Sequence, residues 1–398
     1  MRVTPSMIWQ VLDVRAIWIK EFASALAKQA PTLGWLPRIR NIGMLRNDEH
    51  EETLDDPYLR IRLFPLQRGF ARFPVTFLAR EGNRIARRLT RRSEDAAASP
   101  LICCSPHYAA VAERWPGPVI YYVTDLFVAW GENLRRIIAL DQRMCEVADL
   151  VFPDSCRIAQ YLVADAECSE DIIHISPMAT RAANLLSGPT DVPAKLPPDI
   201  SDMRRPVAGV VGNLAANMDW ELILETVERT PWLSWVFVGP TEMPVPDSRQ
   251  DMARNYVVKR GGRVRFVGPK PYGALRDYAR ALDVAILPYK KREPTYSGSS
   301  TRFYEHLAAC RPMVATRGFE ELLHKQPLLK LVDSTEQMAN ELAKLRDDRF
   351  TDGYEEMRWR ASLNETWEAR ASTMRSVLGN SLVRDGANQR ISAAPLAD

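Results

Sequence analysis

The sequence is poor in the features that build zinc sites and membrane spans. Its six cysteines, Cys103, Cys104, Cys145, Cys156, Cys168 and Cys310, contain no Cys-x-x-Cys spacing, and its five histidines form no His-x-x-x-His pair. A structural zinc site is therefore not expected, and no residue is assigned to a metal. No run of 18 apolar residues occurs, and the N-terminus lacks a signal-peptide pattern. Cys103 and Cys104 lie inside the apolar run Leu101 to Cys104, where free thiols serve as small core residues. A reducing, cytoplasmic compartment is the expectation.

Charge is balanced overall, at +3, but not along the chain. Lysine is missing between Arg60 and Arg92, where ten arginines face a single acid, Glu81. Within this stretch a helix is expected from Pro74 to Arg92. Phe77, Leu78, Ile85 and Leu89 share one side of it, with Arg80, Arg84, Arg87, Arg88, Arg91 and Arg92 around the rest. Basic amphipathic helices suit anionic membrane surfaces, which is the preferred reading. A solvated face over a sheet is the plain alternative. Nucleic acid comes third, because no nucleic-acid motif accompanies the patch.

What is present is a regular α/β alternation. At 398 residues, 46% apolar and 26% charged, the chain suits two soluble domains. Met7 to Leu12 reads as a strand, followed by the loop Asp13-Val14-Arg15 and a helix carrying Ile17, Phe22, Leu26 and Ala27. Residues 31 to 65, interrupted by proline, receive no assignment. From Leu101 the strands are expected at 101–105, 118–124, 150–153 and 172–176, with helices at 106–115, 132–147 and 155–163. Residues 187–206 contain five prolines and read as a linker. Six further strands are expected at 207–211, 235–238, 264–267, 284–288, 313–315 and 329–332, then a long helix at 354–378 and a disordered end after Asn380. Such alternation predicts parallel sheets covered on both faces, with function at the carboxyl ends of strands.

Several residues fall at those ends. Asp125 closes a fully apolar strand and could act as a general base if burial raised its pKa; a loop or cap aspartate is the alternative. His107 reads as a capping or packing histidine. Ser297 to Thr301 opens a helix whose first N–H groups have no intrahelical partner, so this loop could cradle an anion. Arg302 in its first turn opposes the helix dipole, which is sensible where a phosphate arrives. Glu305, one turn on, could accept two ribose hydroxyls. The same residues also read as a capped helix with an ordinary surface pair. Gly212-Asn213-Leu214 is a second backbone turn open to phosphate, and Lys270 ends the strand at 264–267.

The motifs Val211 to Leu214, Asp219 to Leu222, Gly268 to Tyr272, Asp283 to Tyr289, Arg302 to Thr316 and Thr366 to Ala371 resemble those of GT-B glycosyltransferases and cover most of the second half. Val119 to Asp125 and Ala148 to Ser155 extend the resemblance to the first half. Within that group the Ser-Ser-Thr-Arg run is similar to bacterial exopolysaccharide glucuronosyltransferases of the xanthan type. The resemblance implies two doubly wound Rossmann-like domains facing a cleft, with a C-terminal helix returning to the N-terminal domain. The expected division is 1–186, linker 187–206, 207–353, and 354–398. It implies a UDP-sugar donor, no cofactor, and a lipid-diphosphate-linked saccharide acceptor at the inner membrane face, with no nucleic acid. Asp125 would be the base, Leu214, Lys270 and Tyr289 would surround the nucleotide, and Ser300, Thr301 and Arg302 would hold the diphosphate.

Three departures stand out. Ser297 occupies the position eight residues before Glu305 where many retaining relatives carry a second glutamate, which favours inversion. Cys310 replaces a glycine common in relatives, so the turn there is expected to differ. The Asp13 to Arg15 loop lacks the usual glycines. No Asp-x-Asp triplet, the usual metal device of the other main glycosyltransferase fold, is present. A nucleotide-sugar epimerase, or a non-catalytic member binding nucleotide or anionic polymer, are the other readings of the same pattern.

Overall fold

The computed structural model describes residues 7–40, 57–93, 95–131, 133–190, 196–214, 217–241 and 247–392, with the side chains of the last helix described to Val383. It divides into two compact units: residues 1–176 with 367–398, and residues 177–366. The expected linker, 187–206, falls within the second of these units.

Unit 1 contains β1 (Trp9–Leu12), α1 (Ile17–Ala27), β2 (Thr32–Arg40), β3 (Arg60–Gln67), α2 (Val75–Arg92), β4 (Leu101–Cys103), α3 (Ala109–Ala112) and β5 (Val119–Val123). It continues with α4 (Leu134–Val147), β6 (Leu150–Pro153) and α5 (Cys156–Ala164). Unit 2 contains β7 (Val207–Val211), α6 (Trp220–Arg229), β8 (Ser234–Val238), α7 (Ser248–Lys259), β9 (Val264–Gly268), α8 (Leu275–Ala281) and β10 (Val284–Leu287). Then come α9 (Thr301–Ala308), β11 (Met313–Thr316), β12 (Lys330–Val332), α10 (Thr335–Asp347) and α11 (Glu355–Ser362); α12 (Trp367–Ser392) rejoins unit 1. There α12 packs on α1, where Lys28 Nζ reaches Glu368 at 2.8 Å and Gln29 Nε2 donates to the Glu368 carbonyl at 2.7 Å.

Each unit has one six-stranded parallel sheet, ordered β3-β2-β1-β4-β5-β6 and β12-β11-β10-β7-β8-β9. Numbered within its own unit, the second order is the first one reversed. Both are doubly wound sheets whose direction of growth switches once, at β1/β4 and at β7/β10, and ligands of such sheets bind outside the carboxyl ends at that switch. β1, β4, β5, β6, β7, β8, β10 and β11 are buried throughout because helices cover both faces, whereas the edge strands β3, β9 and β12 are partly open. In unit 2 the core is a stack of Trp235, Phe237, Phe266 and Trp220, the Phe237 and Phe266 rings lying 4.6 Å apart. Helix starts are marked by caps: Asn133, Ser155, Asp219, Ser300 and Ser334 each accept a backbone N–H two or three residues into the helix.

The structure corrects several expectations. Residues 31–65, left unassigned for their prolines, supply β2 and β3. β1 pairs with β2 only as far as Trp35, so Pro37 lies where β2 has lost its neighbour on that side, and β3 is an edge strand that tolerates Pro65. Residues 172–176 form no strand; they run beside β6 with one parallel bridge, Val151 to Ile173. The final helix is two, broken between Ser362 and Trp367, and the chain after Asn380 stays helical to Ser392; residues 393–398 lie outside the described residues. Cys310 takes up, at φ 56°, the left-handed backbone that glycine would favour, so the turn after α9 keeps a glycine's conformation. Phe77 leaves the buried side of α2, which is Leu78, Gly82, Ile85, Ala86 and Leu89, and is 57% exposed.

Gly82 lets α2 approach α3: a Cβ there would lie 2.6 Å from the Ala110 Cβ. Alanine would improve helix propensity by up to about 1 kcal/mol, but the overpacking costs about 1–3 kcal/mol. Gly82→Ala is therefore expected to lower the melting temperature, as read by thermal denaturation.

Candidate functional site

In unit 1 the switch point carries Asp13 at the end of β1. Its carboxylate accepts from Arg15 N at 3.0 Å, Arg15 Nε at 2.8 Å and the Tyr108 hydroxyl at 2.9 Å. After β4, Ser105 Oγ lies 2.9 Å from His107 Nδ1, and the buried His107 ring packs edge-on to Phe127 at 6.3 Å. After β5, Thr124 Oγ1 accepts from Trp18 Nε1 at 3.1 Å, and Asp125 follows. Burial alone pushes Asp125 up to about 7. Tyr121, from the same strand, is turned to Asp141 at 2.6 Å. The condition for Asp125 to serve as a base near neutrality, a raised pKa, is thus present in the structure.

Beside the sheet edge, α2 and β3 enclose a groove of about 1060 Å³ lined by Phe64, Phe73, Phe77 and the arginines from Arg80 to Arg92. Arg80, Arg84, Arg87 and Arg91 are exposed, while Arg88 is half-buried. Arg84 is held by Glu81 and by the Pro65 carbonyl at 3.1 Å.

In unit 2 the switch point brings together Gly212, Asn213, Tyr289 and Arg302. Arg302 is buried, and its Nε and Nη2 donate to the carbonyls of Val211 and Asn213, both at 2.7 Å. Nη1 faces Met218 Sδ at 3.2 Å, and the guanidinium lies 5.0 Å from the Tyr289 ring centre. Gly212 permits this approach: its φ is 122°, and a Cβ would come within 3.2 Å of Arg302 Nε and Nη2. Leu214 is buried next to the turn. Among the described residues no carboxylate pairs with Arg302. The oddity of a cation at a helix start resolves itself here, since the side chain leaves the helix for the carbonyl-rich end of β7. His306, one turn further along α9, is fully buried with neither ring nitrogen hydrogen-bonded among the described residues; burial first, then Arg302, lowers its pKa to about 3, so it stays neutral.

The start of α9 is partly occupied by the chain itself. Glu321 accepts from Ser299 Oγ at 2.8 Å, Ser300 N at 3.1 Å and the Tyr304 hydroxyl, with Lys325 Nζ 3.5 Å away. Ser300 Oγ caps Phe303 N. The Ser297 to Thr301 loop therefore already holds a carboxylate on one side, a favourable place for an anion. Nothing in the local spacing signalled Glu321, which follows the next strand. Glu305 is also engaged, accepting from Tyr272 Oη at 2.5 Å, Thr180 Oγ1 at 3.1 Å and Asn184 Nδ2 at 2.8 Å. Burial raises its pKa, and these donors oppose the rise. Lys270 pairs with Asp199 at 2.6 Å, and Thr301 is half-buried at the first position of α9. Sequence reasoning also missed a pocket of mixed charge outside the ends of β10, β11 and β12, where Lys290, Lys291, Arg292 and Arg317 meet Asp219, Asp247 and Asp333, Lys290 pairing with Asp247 at 3.4 Å and Arg317 with Asp333 at 2.5 Å.

Residues 205–348 match the family of glycosyl transferases group 1. A putative teichuronic acid biosynthesis glycosyltransferase of Bacillus subtilis is 26% identical over 110 residues, a stretch spanning 28% of this chain and 26% of that protein. Sucrose-phosphate synthase from Thermosynechococcus elongatus superposes with a TM-score of 0.69 at 16% identity, over 95% of this chain and all of that one. The Anabaena protein HepE, solved with UDP and glucose, gives 0.68 at 13% identity over 94% and 99%. The fold is GT-B, as the resemblance implied. Residues 205–348 carry the group 1 pattern within that fold.

Two outcomes follow. In the unfolded chain Asp125 ionises near its ordinary 3.8, and in the folded chain near 7, so it withdraws stability as pH rises through that interval. Asp125→Asn should therefore melt higher than the wild type at about pH 8, with the difference gone below about pH 4. Glu321→Gln keeps an acceptor for Ser299 and Ser300 but removes the charge at the α9 start, and should cost roughly 0.3–2 kcal/mol in denaturant unfolding at neutral pH.

Proposed function

We propose that this chain transfers a sugar, glucuronic acid among the candidates, from a UDP-sugar to a lipid-diphosphate-linked oligosaccharide in bacterial polysaccharide assembly. The enzyme works on the cytoplasmic face of the membrane, without a metal and with inversion at the anomeric carbon. The observation that carries the reading is Arg302, a buried cation with no carboxylate partner among the described residues, at the ligand-binding switch point of unit 2. The UDP complex of HepE and the teichuronic acid relative support a nucleotide-sugar donor and a polysaccharide product.

In the reaction the Asp125 carboxylate takes the proton of an acceptor hydroxyl. The freed oxygen pair bonds to the anomeric carbon while the bond from that carbon to the diphosphate breaks, its electrons leaving with UDP. Arg302 and the N–H groups of Thr301 and Arg302, which have no partner among the described residues, stabilise the leaving charge. Glu321 fixes the loop that presents them. Ser297 stands where many retaining relatives carry a second glutamate and donates instead to Glu293 at 2.7 Å, which favours inversion with Asp125 as the base. The α2 arginines hold the enzyme at the surface where the lipid-linked acceptor resides.

Calorimetric titration with UDP, GDP and their sugar conjugates, without added metal, tests this. Micromolar binding of UDP is expected. Arg302→Lys, which loses the planar fork, should weaken it roughly tenfold or more, about 1.4 kcal/mol. Asp125→Asn should keep UDP binding and abolish transfer. Absence of nucleotide binding by folded protein would overturn the reading, and unchanged transfer by Asp125→Asn would remove its base.

A further inference from the structure

Four large apolar side chains of unit 1 stand in solvent on two neighbouring segments. Val75 and Phe77, at the start of α2, are 41% and 57% exposed; Trp130 and Leu134, at the turn into α4, are 59% and 55% exposed. Arg136 ties the segments together, its Nη2 donating to the carbonyls of Ala71 at 2.6 Å and Phe73 at 2.9 Å. The Phe73 ring in turn packs edge-on to Phe77 at 6.3 Å. Clusters of this kind mark interaction surfaces.

Charge identifies the occupant. From Phe77 the line Arg80, Arg84, Arg87, Arg91 runs along α2 at spacings of three and four residues, about 16 Å of exposed cations on one side of the helix. Glu81, the single acid of the segment, is taken up by Arg84. A second copy of the chain would set arginines against arginines, which costs association energy. An apolar tip with an indole, flanked by cations, matches instead the boundary between phosphates and acyl chains. Among the described residues no helix is long and apolar enough to cross a membrane, so contact would be from one side.

We propose that Val75, Phe77, Trp130 and Leu134 form an insertion edge that enters the headgroup layer of an anionic bilayer, with the α2 arginines resting on lipid phosphates beside it. The inference rests on the acceptor being lipid-linked, and it adds a placement. Trp130 follows Asp125 by five residues, through the short 3-10 turn Phe127–Trp130, so the edge and the base belong to one loop. A saccharide carried on a lipid would be delivered to the base by the same contact that seats the enzyme.

The test uses the full chain, sedimented with phosphatidylglycerol vesicles and with phosphatidylcholine vesicles. Wild type should partition onto the anionic vesicles, and Trp130→Ala and Phe77→Ala should each lower that partition about tenfold. Brominated acyl chains should quench the fluorescence of wild type more than that of Trp130→Phe, which a merely structural tryptophan would not show. Wild-type partition by Trp130→Ala, equal quenching in the two proteins, or a lipid-free dimer that Trp130→Ala dissociates would overturn the insertion edge. UDP titration of the same samples separates the two readings. No vesicle binding with UDP binding intact sinks the edge alone, whereas loss of both in folded protein also removes the donor reading on which it rests.

Discussion

The contact on which unit 2 depends is the fork of Arg302 closed on the carbonyls of Val211 and Asn213. A guanidinium removed from water needs acceptors for its fixed set of donors, and the end of a parallel strand offers carbonyls in a matching direction. Glycine at position 212 adopts the φ of 122° that this approach uses and adds no Cβ, which would lie 3.2 Å from the guanidinium. The neighbouring exits are knitted into the same arrangement: Asp219 N donates to the Pro288 carbonyl at 2.8 Å, and Met218 bridges Tyr289. The ends of β7 and β10, neighbours at the switch in sheet order, are thus locked around one cation that no carboxylate balances among the described residues.

Environment sorts the carboxylates into separate duties. Glu305 and Glu321 are both surrounded by hydroxyl and N–H donors, and each fixes a segment: the start of α9 for Glu321, the 180–184 stretch and Tyr272 for Glu305. Among the described residues Asp125 has no such donors, and burial drives its proton affinity upward. Identical functional groups differ in proton affinity according to how many donors the fold supplies.

Much of this was legible in the sequence, and the failures have physical causes. The strands of unit 2 were readable because each is a short apolar run closed by glycine, proline or a polar residue. β2 and β3 were not, because whether a proline spoils a strand depends on where its neighbour ends, and that is a property of the sheet. Asp125 could be placed at a strand end from the apolar run before it, whereas its raised pKa comes from tertiary burial. Arg302 was visible as a misplaced cation, but its destination lies 91 residues away in the chain. Glu321 gave no local sign at all, since its partners, Ser299 and Ser300, precede it by a whole strand.

Unit 1 is made of two pieces of chain, with all of unit 2 between them. The two crossings lie side by side, where Thr180 N donates to the Glu365 carbonyl at 3.1 Å and Thr180 pairs with Thr366. A growing chain on the ribosome therefore finishes its domains out of order. Unit 2 has every one of its residues by Thr366, while the half that was begun first waits for α12, which emerges after all of unit 2, to cover α1. A ribosome that stops early would release a protein whose second half is complete and whose first half still lacks a wall.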